Sequence, residues 1–145
     1  MSNAKQIPIF LRHVRAQCRK LNVKFRLSKS EGINSGDGEE RLRGIFITPT
    51  TIKHGSLRVA IKNRRVSEWI VDVAHEYVHM MQWFRGDALY EDHFRGDVSY
   101  AKLEAATEKE ALLLLKAWGI EVGTHQIKRS KRYIAKLRIE EKQSV

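Results

Sequence analysis

The spacing of apolar positions changes period along the chain, and each change marks an element. In residues 7 to 21 (IPIFLRHVRAQCRKL), Ile7, Phe10, Leu11, Val14, Cys18 and Leu21 recur at three- and four-residue steps. That spacing predicts an amphipathic helix with a basic outer face. The period then drops to two. In NVKFRLS, Val23, Phe25 and Leu27 alternate with Asn22, Lys24 and Arg26, the pattern of a half-buried strand. Residues 28 to 40 (SKSEGINSGDGEE) read as a polar loop, and RLRGIFITP and SLRVAIKN as two further strands turned near Pro49 and Gly55.

From residue 66 onward the helical period returns. Ser67 is the expected N-cap and Glu68 suits the first turn. The apolar run through Ile70, Val71, Val73, Ala74, Val78 and Met81 extends to a stop at Gly86. Residues 87 to 96 are expected as a connecting loop. Asp97 can cap a second long helix that ends at Trp118 and Gly119, and a basic helix from 124 to 143 closes the chain. The order predicts an α+β fold: an N-terminal helix, a small three-stranded sheet, then helices. With no repeat or linker in view, residues 1 to 145 read as a single domain.

Composition narrows the class. No segment approaches the roughly 18 apolar residues of a membrane span, and the apolar part of the N-terminus is far too short for a signal peptide, so an intracellular, cytoplasmic product without membrane contact is expected. The single cysteine, Cys18, excludes an internal disulfide and a cysteine-based zinc site. Any metal must therefore be held by histidines and carboxylates. The net charge of +10 is uneven: residues 1 to 29 hold eight bases and no acid, residues 124 to 145 seven bases and two acids, and the centre twelve bases against fifteen acids.

Within that acidic centre lies AHEYVHMMQW, residues 74 to 83. Four residues of helix advance about 6 Å and turn about 400°, so His75 and His79 project from one face and can converge on one ion. Glu76 is turned about 100° from His75, outside the ligand set but close to a water in the ion's open position, where a general base belongs. Zinc is the expected ion, Zn2+ with Glu76 as its base the expected chemistry, and peptide-bond hydrolysis in a protein or peptide substrate the expected reaction. The competing explanation is a satisfied structural cluster. Burying two histidines and a glutamate in an apolar helix face costs several kcal/mol unless each finds a partner, and a metal satisfies all three together.

A third ligand is required, and the residues offer several. Glu104 and Glu108 share a face of the next helix with Ala101, Ala105, Leu112 and Leu115, while His93 follows His79 by fourteen residues in the loop. Tyr100, Tyr90 and His93 are candidates to stabilise the transition state, and Asp72 to orient a ligand.

The combination of HEYVH with Glu108-Lys109-Glu110-Ala111 and its apolar continuation resembles the gluzincin metallopeptidases, most closely the ImmA/IrrE-like branch of phages and mobile elements. The resemblance covers about residues 67 to 118. It implies a zincin-like fold and Glu108 as third ligand beside His75 and His79, with Glu76 as base. The chain departs from that branch in Gln82 and Trp83 after the motif and in having no Met-Pro ending. The SprT-like proteases, with a third histidine in the loop, are the rival pattern and would promote His93. In zincins generally the sheet edge beside the metal pairs with an extended substrate, and SLRVAIKN is the choice for that edge or its neighbour.

The basic ends support a reading of another class. Lys128, Arg129, Lys131, Arg132, Lys136 and Arg138 surround Tyr133, Ile134 and Leu137, a pattern suited to phosphate contacts. In that alternative the protein is a nucleic-acid-binding or protein-interaction module of phage or mobile-element origin, with a structural or degenerate metal site.

Overall fold

The computed structural model describes residues 3–34 and 41–144. Helix α1 (Asn3–Lys20) begins four residues before the expected start and carries Pro8 within it. It buries Ile7, Phe10, Val14 and Cys18 of the stripe that the periodicity marked, while Leu11 and Leu21, the latter beyond the helix, are partly buried. Strand β1 (Val23–Ser28) follows after Asn22, a positive-φ residue that turns the chain. Within the expected loop, β2 (Ile33–Asn34) pairs antiparallel with β3 (Arg41–Leu42), which opens the expected strand RLRGIFITP; residues 35 to 40 of the loop lie outside the described residues. The expected strand RLRGIFITP is divided, with β4 (Gly44–Ile47) separate from β3.

Strand β5 (Gly55–Ala60) is the middle of the three-stranded sheet, parallel to β1 on one side and antiparallel to β4 on the other. A central position explains its sequence: Leu57 and Val59 are fully buried, and burying each such side chain is worth about 1.5–3 kcal/mol. Strands β1 and β4 are therefore the two edges; β4 is the one that lies against α2, and SLRVAIKN is its neighbour.

Helix α2 (Val66–Arg85) crosses β4 and β5 and forms the spine of the molecule. Its N-cap position is Arg65 without a side-chain cap, and the expected cap Ser67 sits inside the first turn. Its end follows the expectation. Gly86 adopts the left-handed conformation (φ 67°, ψ 39°), and the N–H groups of Gly86 and Asp87 close onto the carbonyls of Trp83 and Gln82. The segment after it is helical, α3 (Ala88–Phe94), where a loop was expected.

Helix α4 (Tyr100–Ala117) is capped by Ser99, whose hydroxyl accepts from the Lys102 N–H at 3.1 Å, and not by Asp97. It packs along α2. Helix α5 (Thr124–Gln143) then packs on α4. The core lies between α1, the sheet, α2 and α4, and centres on Phe10, Val14, Leu57, Val73, Met80 and Leu115. Among the described residues no helix is long and apolar enough to cross a membrane.

Candidate metal centre

The two histidines stand where α2 faces α4. His75 Nε2 and His79 Nε2 are 3.1 Å apart. Glu104 Oε2, from α4, lies 3.2 Å from the first and 2.8 Å from the second. These three atoms can hold one metal ion.

The surroundings assign the tautomer of His79. Gln82 Oε1 sits 3.0 Å from His79 Nδ1 and accepts its proton, while Gln82 Nε2 donates to Thr107 Oγ1 at 3.0 Å. Thr107 in turn donates to the Leu103 carbonyl at 2.8 Å. The opposite side of His75 faces Glu108: Nδ1 is 3.3 Å from Oε1 but poorly aligned with it, so this buried nitrogen has no well-formed hydrogen bond. With the His79 Nδ1 proton directed outward, its Nε2 lone pair, His75 Nε2 and a carboxylate oxygen converge on one point. Two imidazole nitrogens and a carboxylate oxygen that close require a positive charge among them, which a proton or a metal ion can supply.

The donor set fits a zinc ion. Around a tetrahedral zinc with ligands at about 2.0–2.1 Å, neighbouring ligand atoms sit roughly 3.3 Å apart; the separations here are 3.1, 3.2 and 2.8 Å, the last shorter than that ideal. In its electrostatics the cluster already behaves as a cation site. Burial alone lowers the His75 pKa, but its hydrogen bond to Glu104, the nearby Glu108 carboxylate and the charges of Glu104 and Glu76 outweigh it and hold the imidazole well above the usual histidine range. For Glu104, burial favours the neutral acid, yet His75 and His79 overcome this and drive its pKa far below the carboxylate range. Glu108 is shifted down by the same competition, and Ser130 donates to its Oε2 at 2.9 Å.

Glu76 lies outside the convergent set. It is buried, and desolvation raises its pKa, opposed by the charges of the two histidines. Gly44 of β4 explains how it fits: a Cβ there would stand 3.0 Å from Glu76 Cγ and 3.3 Å from its Oε2. The edge strand thus runs directly against the carboxyl. Both face an open cavity of about 810 Å³ lined by residues of β4, α2, α3, α4 and α5.

The remaining candidates fall in varied places. Glu108, which the resemblance implies as third ligand, is one turn beyond Glu104 on α4 and backs His75 from behind, while Glu104 occupies the ligand position. His93 stays outside the cluster. It lies on α3, donates from Nδ1 to the Val98 carbonyl at 2.9 Å and lines the cavity. Tyr100 is engaged, its hydroxyl donating to Glu104 Oε1 at 3.0 Å. Tyr90 is buried, its ring 6.3 Å from that of His79. Asp72 pairs with Arg64 and, at 3.6 Å, with Arg129, and so does not support a histidine.

Two participants escaped the sequence reading. Tyr133 donates to Glu104 Oε1 at 2.7 Å, and with Tyr100 it fixes one carboxylate oxygen so that the other faces the histidines. Burial, followed by the charge of Glu104, raises the pKa of both phenols. Gln82 is the other, and its signal was available: it follows His79 by three residues, on the same helical face. Comparison with protein-family models, curated proteins and solved structures found no match to this chain.

Proposed function

We propose that the protein is a zinc-dependent endopeptidase that hydrolyses peptide bonds in a protein substrate. His75, His79 and Glu104 hold the ion, and Glu76 is the general base. The observation that carries the reading is the convergence of two imidazole nitrogens and a carboxylate oxygen beside a second, buried carboxyl, all opening onto a cleft bounded by a sheet edge.

Zinc at such a centre acts as a Lewis acid and brings the pKa of a water it binds to about 7. The chain's own groups supply the rest. Glu76, its proton affinity raised by burial, is suited to take a proton from the attacking water and return it to the leaving amine. Strand β4 offers unpaired main-chain groups to an extended peptide, which places a scissile bond next to Glu76 with little dependence on side-chain identity. Gln82 and Glu108 orient the two imidazoles, and Tyr100 and Tyr133 orient Glu104. This set of roles agrees with the gluzincin resemblance in all but the choice of glutamate.

The test is elemental analysis of purified protein together with hydrolysis of an unstructured protein substrate by wild type and Glu76→Gln. Wild type is expected to carry about one zinc per chain and to cut the substrate. Glu76→Gln is expected to keep fold and zinc while losing about 10²–10⁴-fold in turnover. A protein that takes up no zinc, or a variant as active as wild type, overturns the proposal.

A further inference from the structure

The floor and the rim of the cleft carry opposite charge, and general peptide hydrolysis has no need of that arrangement. The floor holds Glu76, Glu104 and Glu108. The rim is basic. Arg129, Arg132 and Lys136 follow one another on α5 at steps of three and four residues, which puts them on one helical face, and that face lines the cavity. Arg43, at the start of β4, lines it from the other side.

These bases are poorly neutralised. Arg129 has a carboxylate, Asp72, at 3.6 Å. Lys136 reaches Glu140 only at 3.9 Å through an exposed pair, which contributes little. Arg132 bonds weakly to the Lys128 carbonyl at 3.5 Å. Among the described residues neither Arg132 nor Arg43 forms an ion pair. Nor can the floor serve them, because Glu104 is taken up by the histidines and two phenols, and Glu108 by His75 and Ser130. Exposed guanidinium groups facing a cleft are ready-made forks for incoming carboxylates.

We propose that this cleft selects peptide segments in which Asp and Glu are clustered, with Arg132, Lys136 and Arg43 reading the acidic side chains. Cleavage of such segments rests on the peptidase reading above; their binding does not. From Arg129 to Lys136 the helix advances about 10 Å, the reach of about three residues of extended chain, so two or three acids within about four residues match the rim.

The experiment uses the full chain carrying Glu76→Gln, loaded with zinc, and fluorescence anisotropy of three labelled peptides. They share one apolar background and carry Asp-Glu-Asp, Asn-Gln-Asn or Lys-Lys-Lys. The acidic peptide is expected to bind at least about tenfold tighter than the neutral one, with the advantage shrinking as salt rises. Adding Arg132→Glu with Lys136→Glu should abolish the preference, whereas Lys128→Glu with Lys131→Glu, on exposed positions away from the cavity, should leave it intact. In the active protein, kcat/KM should follow the same order. Equal binding of acidic and neutral peptides overturns the inference. So does a duplex DNA that displaces the acidic peptide and depends on the same two rim residues more strongly than the peptide does. Should no peptide be cut while the acidic preference and its loss in the rim variant persist, the peptidase reading falls and this inference stands.

Discussion

Replacing Glu104 with alanine, and separately Glu108 with alanine, discriminates between two carboxylates one helical turn apart. Glu104 Oε2 stands within 3.2 Å of both imidazole nitrogens that face the centre, whereas Glu108 reaches only the far nitrogen of His75. Apparent binding free energies of about 10–16 kcal/mol for structural zinc, spread over three or four ligands, give roughly 3–5 kcal/mol per ligand. Loss of Glu104 should therefore weaken zinc by about two to four orders of magnitude. Removing a partner that only orients a ligand costs about 10–100-fold, the range expected for Glu108→Ala. Competition with a chromogenic chelator at pH 7 measures both, and circular dichroism of the metal-free variants establishes that they fold. If Glu108→Ala loses more zinc than Glu104→Ala, Glu108 is the ligand and the assignment made from the geometry is wrong.

Other expectations follow from single contacts. Gly44→Ala places a Cβ 3.0 Å from Glu76 Cγ, so turnover should fall at least about tenfold with zinc affinity unchanged; a variant with undiminished kcat shows that β4 does not constrain the base. Gln82→Leu leaves the His79 Nδ1 proton and Thr107 without their partner, and chelator competition should show zinc held about 10–100-fold more weakly. Cys18 is buried against Met80, and burial pushes its thiol up to about 12. Because the unfolded thiol ionises several pH units lower, this group favours the folded state less and less as pH rises above about 8.5. A thiol reagent at pH 8 should accordingly modify it only at the rate at which the protein opens, and rapid labelling of native protein would contradict that burial.

Much of this architecture could be read from local pattern because local pattern caused it. The i, i+4 histidines, the stop at Gly86 and the buried stripe of α1 depend on periodicity within one helix, and the structure retains them. What depended on how elements meet was harder to see. Glu104 and Glu108 lie on the same face of α4, so the helical period alone cannot choose between them; the crossing of α2 and α4 does. Strand order has the same character. Nothing within SLRVAIKN distinguishes a strand with two neighbours from one with a free edge, and β5 gains its second neighbour from β1, far back in the chain. Ser99 displaced Asp97 as cap because both are competent and only the turn after α3 determines where α4 can begin. Tyr133 looked like a lone aromatic in a basic run, since its partner Glu104 is 29 positions away.

That last contact also gives the molecule an order of completion. Tyr133 follows His75 by 58 positions, so at roughly 5–20 residues per second a ribosome delivers the phenol about 3–12 s after the imidazole. Over the second half of that interval the growing polypeptide carries His75, His79 and Glu104 together, but Glu104 still lacks one of its two anchors and the basic rampart opposite β4 has not been built. Competence thus arrives with the last helix to dock, and a break between α4 and α5 would return the centre to its unfinished, wide-open condition.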